Sequence, residues 1–322
     1  MLGLYIHWPF CLSKCPYCDF NSHVRKSFDE KAWMDAVIFE IERFVSFCGY
    51  ENKKLDSIFF GGGTPSLISP YVIENIINHV KKIFNFDSNL EISLEANPNS
   101  VEVEKFKDLA LSGVNRISLG IQSLKDDDLK KLGRKHNAKE AIKAIEIAKE
   151  CFSNVSIDLI YARFNQSLKD WENELRKALD FSTNHMSLYQ LTIEDGTSFA
   201  SQYKRGAKLI TDLETACDMY ILTHDMMEKF GYKNYEISNY AKENFECRHN
   251  LVYWNYGDYI GVGAGSHGRI TINGKKFATE QIRSPEAWLK GISNQSKGDK
   301  FFDLLTLDEQ IQEKLLMQAR LS

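Results

Sequence analysis

A chain of 322 residues with 43% hydrophobic and 26% charged side chains carries enough apolar material for a full core, which excludes disorder, collagen and coiled coil. Its 40 basic and 44 acidic residues give a net charge of −4, so no overall field draws it toward phosphate backbones and nucleic acid is not an expected partner. Seven cysteines are too few, and odd in number, for a disulfide scaffold. The apolar start through Trp8 lacks a basic n-region, and nowhere do 18 apolar residues run together. The expected location is therefore cytoplasmic, with no transmembrane segment and at most peripheral membrane contact.

In chain order, strand-length apolar runs alternate with amphipathic helical stretches. Strands are expected over residues 2–7, 55–60, 90–96, 115–120, 155–161 and 185–191. Helices are expected over 28–47, 70–84, 101–112, 138–151, 168–181 and 212–229. Ser69 as N-cap with Pro70 behind it, and Asn137 ahead of Ala138, mark two of the starts. Six βα units imply a parallel sheet, because parallel strands need long crossovers. An α/β open sheet or incomplete barrel follows, with ligands at the C-terminal ends of its strands. Beyond Lys229 the pattern changes: 232–268 is rich in Gly, Asn, Tyr and Trp, and a charged, helix-like tail begins at Pro285. We place the core at 1–230 and an extension at 231–322.

Cys11-Leu12-Ser13-Lys14-Cys15-Pro16-Tyr17-Cys18 puts three thiols on the loop after the first strand. Structural zinc usually takes four protein ligands, often as two CxxC-like pairs, and here a second pair is missing, although His7 or His23 could serve as a fourth donor. Three inert buried thiols are the other alternative. A [4Fe-4S] cluster held by three cysteines, with one iron open, is the best physical reading.

The loop resembles the radical SAM superfamily signature, CxxxCxxC with an aromatic residue before the last cysteine, here Tyr17. The resemblance implies an incomplete (β/α)6 barrel and S-adenosylmethionine (SAM) chelated to the open iron. Gly61-Gly62-Gly63-Thr64-Pro65 follows the second strand, where glycines let a backbone approach a ligand and offer N–H groups. It is similar to the superfamily's GGGTP element, which implies that Gly62, Gly63 and Thr64 contact SAM. Glu95 and Gln122 end the third and fourth strands, and Asp158 interrupts an apolar run, where a buried acid costs several kcal/mol unless paired. Arg134 suits a carboxylate. Together with Tyr5 and Phe20, these positions match SAM-contacting positions in the branch of oxygen-independent coproporphyrinogen III oxidase-like proteins.

Within that branch the oxidase pattern adds a cysteine two residues after the third, where this chain has Phe20. The heme-chaperone pattern lacks it and carries an HNxxYW element, matched by His249-Asn250-Leu251-Val252-Tyr253-Trp254. The resemblance implies a heme chaperone that binds heme through His249, Asn250, Tyr253 and Trp254 and passes it to an acceptor such as a respiratory-chain protein, with reduced flavodoxin or ferredoxin as electron donor. His267 and Cys247 are alternative heme ligands. The alternative activity is oxidative decarboxylation of coproporphyrinogen III, and no catalytic residue is assigned. The chain departs from the pattern at Ala162-Arg163-Phe164-Asn165-Gln166-Ser167, where relatives carry a Gly/Pro-rich loop. It also ends inside what reads as a truncated small C-terminal domain.

Overall fold

The computed structural model describes residues 1–294 and 298–321. Residues 295–297 and 322, all within the expected extension, lie outside the described residues. Strands β1 (Leu2–Trp8), β2 (Ser57–Gly62), β3 (Glu91–Ala96), β4 (Arg116–Gln122), β5 (Asn154–Tyr161) and β6 (His185–Gln190) lie side by side in chain order, all parallel. They read as near-continuous apolar runs because both faces of a parallel sheet are covered. Helices α1 (Glu30–Cys48), α2 (Pro70–Ile83), α3 (Ala138–Cys151), α4 (Leu168–Asp180) and α5 (Leu213–Lys229) supply the crossovers and much of one continuous core.

Local chemistry sets the helix starts. Asn137 and Ser167 each close a capping box, with Glu140 and Asp170 as reciprocal partners. Ser69 sits at the N-cap of α2, but its hydroxyl and N–H donate to the Glu30 carboxylate instead of capping. The single helix expected over 101–112 is two short ones, Ser100–Val103 and Phe106–Leu111. The break follows from Glu102, whose buried carboxylate accepts from Ser66, Asn97 and Asn99 and holds the first turn against the sheet.

The boundary expected at 230/231 falls one residue after α5 ends, yet the sheet runs across it. Strand β8 (Asn239–Ala241) pairs antiparallel with β6, and β7 (Lys233–Glu236) pairs antiparallel with β8 at the edge. On the other edge β9 (Asp258–Val262) pairs parallel with β1, followed antiparallel by β10 (His267–Ile272), β11 (Lys275–Gln281) and β12 (Asp299–Leu304). Twelve described strands thus form one open sheet, not a closed barrel. The stretch 232–268 hides its strand because Gly261 breaks the apolar pattern: a Cβ there would stand 1.9 Å from the His267 carbonyl oxygen on β10. The tail is α7 (Pro285–Ser293), β12 and α8 (Leu307–Gln318), with α6 (Arg248–Trp254) ahead of β9. Trp288 of α7 stacks on Trp33 of α1, centroids 4.8 Å apart, fastening this part to the core. No helix among the described residues is long and apolar enough to cross a membrane.

Candidate functional site

Cys11 ends a two-residue strand, Phe10–Cys11, which pairs with His23–Val24 and closes the cysteine loop on itself. A turn from the Cys18 N–H to the Cys15 carbonyl, 3.1 Å, and the Lys14 ammonium on the Phe20 carbonyl, 3.2 Å, shape the rest. All three thiols are free and face a cavity of about 490 Å³ at the C-terminal ends of the strands. Burial pushes the Cys11 and Cys18 thiols up. Arg134 donates to the Cys15 sulfur at 3.4 Å, to Asn97 Oδ1 at 2.5 Å and to the Gly120 carbonyl at 2.8 Å. Gly133, at φ +70°, lets that arginine reach in, since a Cβ there would meet Pro16 at 2.5 Å.

The glycine turn serves a different purpose from the one expected. The Gly62 N–H donates to Glu95 Oε2 at 3.1 Å, the Gly63 N–H to the Trp8 carbonyl at 2.7 Å and the Thr64 N–H to the Phe10 carbonyl at 2.9 Å. These donors are committed to the protein, so the expectation that they are offered to a ligand is corrected. The turn is glycine because β2 crosses the end of β1 at backbone distance: a Cβ on Gly63 would lie 2.5 Å from the Phe10 carbonyl oxygen. Its effect is to fix the start of the cysteine loop.

Glu95, Gln122 and Asp158 line the same cavity with Gly62, Gly63, Thr64 and Arg134. Burial, then the neighbouring Asp158 charge, pushes the Glu95 carboxyl up to about 8. Burial pushes Asp158 up to about 6, opposed by hydrogen bonds from Ser187 and Ser118. Neither acid has an ion-pair partner among the described residues. Two acids that resist ionisation in one pocket favour a ligand carrying positive charge. Gln122 is held at φ +67°, beside an irregularity where the β4–β5 register shifts.

The segment expected to hold heme is only partly available. His249 is buried, its Nδ1 hydrogen-bonded to Ser57 Oγ at 2.8 Å and its Nε2 to Tyr253 OH at 2.6 Å. Burial lowers it to about 3, so the ring is neutral. With both ring nitrogens engaged, it cannot present a lone pair to iron, which corrects its expected role. Asn250 donates to Tyr235 OH at 3.4 Å and does not reach the cavity. Cys247, also buried, bonds Glu91. Tyr253 and Trp254 line a second cavity of about 580 Å³, as do Tyr5 and Phe20.

The radical SAM superfamily profile matches residues 5–178. Heme chaperone HemW of Haemophilus influenzae is 43% identical over 297 residues, 90% of this chain and 76% of its own length. This chain belongs to the HemW family of radical SAM proteins. HemW of Escherichia coli is 37% identical, over 92% of this chain and 78% of its own. The solved structure of coproporphyrinogen III oxidase from E. coli superposes with a TM-score of 0.82 at 22% identity, covering 99% of this chain and 75% of that one, a likeness of fold.

This HemW-family chain therefore has two cavities, adjoining at Asp19, Phe20, Gly62 and Glu95. Sequence reasoning missed most of the second one. Tyr259, His267, Arg269 and Arg283 come from the extension, and Glu313 and Met317 from α8. The only signal was the Gly-rich run ending in His267, noted as an alternative ligand.

Proposed function

We propose that this chain is a heme chaperone: it holds a [4Fe-4S] cluster on Cys11, Cys15 and Cys18, binds SAM beside it, and carries heme as cargo for an acceptor protein. The observation that carries this reading is one cavity lined by three free thiols and two ion-pair-free acids, in a chain whose relatives are named heme chaperones. The donor set fits a cluster. Among the described residues no three His, Cys, Asp or Glu side chains converge on a point that could hold one metal ion. Zinc needs such convergence, whereas cluster cysteines each bind a different iron.

When bound, the cluster supplies an open iron for the amino-acid end of SAM and an electron for its sulfonium. The chain's own residues do the rest. Glu95 and Asp158 offer negative charge to a sulfonium or hydroxyl acceptors to a ribose. Arg134, committed to Cys15, Asn97 and Gly120, positions the second cysteine against the cavity wall. Gln122 and Phe20 border the space. A respiratory-chain acceptor and a reduced flavodoxin or ferredoxin donor complete the proposal.

Decarboxylation of coproporphyrinogen is disfavoured by Phe20, an exposed ring where the oxidase pattern carries a further thiol. Anaerobically reconstituted protein is expected to hold about four irons per chain and to shift the Soret band of added heme. No Soret shift at stoichiometric heme would sink the chaperone reading, and vinyl product from coproporphyrinogen with SAM and reductant would replace it with the oxidase.

A further inference from the structure

Heme asks three things of a pocket: apolar walls for the porphyrin faces, cationic groups for two propionates, and a neutral imidazole or other donor for iron. The second cavity offers all three on elements that the cysteine side does not use. Its volume of about 580 Å³ lies within the range of small-molecule pockets. Tyr253, Trp254, Tyr259 and Met317 provide apolar wall. Trp254 is held by the Arg320 guanidinium, 4.5 Å from its ring centroid, and Tyr259 packs edge-on to Tyr253 at 4.5 Å.

The histidines separate cleanly. His7 also lines this cavity, but its Nδ1 is bonded to Tyr5 OH and its Nε2 to the Asn21 carbonyl, both at 2.9 Å. His249 lies behind the wall with both nitrogens engaged. His267, first residue of β10, is exposed, and neither of its ring nitrogens has a hydrogen-bond partner among the described residues. Its backbone is fixed by the Gly263-Ser266 turn and by pairing with Glu280. Of the two arginines present, Arg269 is clamped by Glu313 at 2.7–3.2 Å. Arg283 makes no ion pair among the described residues and is free to meet a propionate.

We infer that heme sits in this second cavity with His267 as its iron ligand and Arg283 as a propionate partner, not on His249. This rests on the chaperone reading and goes beyond it in naming the place and the ligand. The Asp19–Phe20 stretch that follows the cysteine loop then forms the shared wall between the SAM side and the cargo side.

The test is a hemin titration of the full chain, read by Soret position, on wild type, His267→Ala, His249→Gln and Arg283→Ala. His267→Ala should lose the shifted Soret band and bind hemin at least about tenfold more weakly, since even loss of a supporting partner costs that much at a metal site. Added imidazole should restore the band. His249→Gln should keep the wild-type spectrum, and Arg283→Ala should keep the band position with weaker binding. If wild type shifts the Soret band and His267→Ala does so equally, the inference falls while the chaperone reading stands. If wild type itself gives no shift, both fall. Loss of the band in folded His249→Gln, with His267→Ala unaffected, would return the ligand to His249.

Discussion

The two cavities share the wall at Phe20, Gly62 and Glu95 but are assembled in opposite ways. The cysteine side draws on successive parallel strands and the loops that follow them, from Cys11 through Glu194, with Ser118 and Asp158 contributed from within their strands. The cargo side joins Tyr5 and His7 of β1 to residues 253–317, which reach it only because β9 pairs with β1 on the far edge. The charges differ too. Of the two ion-pair-free acids, Asp158 lines the first cavity alone and Glu95 stands on the shared wall, whereas a free histidine and a free arginine line only the second. A cationic cofactor and an anionic, iron-bearing cargo would therefore each find a separate half of one sheet edge.

The sharpest way to break this separation is at the cysteines. Cys11→Ala, Cys15→Ala or Cys18→Ala should remove essentially all iron–sulfur absorption from anaerobically reconstituted protein, while hemin binding stays near wild type. Hemin binding that vanishes with the cluster would mean the cavities are not independent. Next in size, His249→Ala should lower stability by about 2–4 kcal/mol, because it opens a void and leaves the Ser57 and Tyr253 hydroxyls unpaired. Denaturant unfolding measures this, and the fraction that remains folded should still bind hemin.

The acids give a pH signature on the SAM side, with Asp158 inside the first cavity and Glu95 on the shared wall. Glu95 and Asp158 have folded values of about 8 and about 6 against ordinary values of 4.5 and 3.8. Acids raised in this way favour the fold at low pH, and that contribution is lost as pH rises through the folded values. The ligand-free chain should therefore lose stability from about pH 4 to about pH 8 through these groups. A sulfonium ligand favours the ionised forms, so SAM affinity should rise by at least about tenfold from pH 6 to pH 8. Glu95→Gln should flatten most of that rise in calorimetric titrations, and hemin affinity should not follow the same profile.

The smallest expected effect lies at the rim. Ala162 and Asn165, in the loop that departs from the Gly/Pro-rich pattern, stand at φ +59° and +62°, the left-handed region where glycine is unstrained. The substitution Ala162→Gly should raise stability by about 1 kcal/mol, read as a higher unfolding midpoint. The same loop is fastened by Arg163, which pairs with Glu174 and, at 3.2 Å, with Asp128. It thus keeps its shape without the glycines.

The contrast also explains what could be read from the chain. All six core strands were legible because burial on both faces makes each a dense apolar run, and the cysteine, glycine-turn and acidic positions were legible because parallel topology gathers strand ends. What was not legible depends on pairing between distant segments. Nothing local shows that Gly62 and Gly63 spend their N–H groups on Glu95 and Trp8. Nor does anything local show that Ser57, 192 residues from His249, occupies its ring nitrogen. The histidine in the recognisable HNxxYW element has both ring nitrogens engaged, and the unengaged one that lines the second cavity sits in an unremarkable β-strand start.

Simultaneous occupancy tests the separation most directly. Cluster-loaded chain is titrated with hemin in the presence and absence of saturating SAM, with one heme per chain followed by the Soret band and SAM retention followed by calorimetry. Hemin is expected to bind with the same stoichiometry in both cases, with SAM still bound. Displacement of either ligand by the other would contradict the assignment of cofactor and cargo to separate cavities.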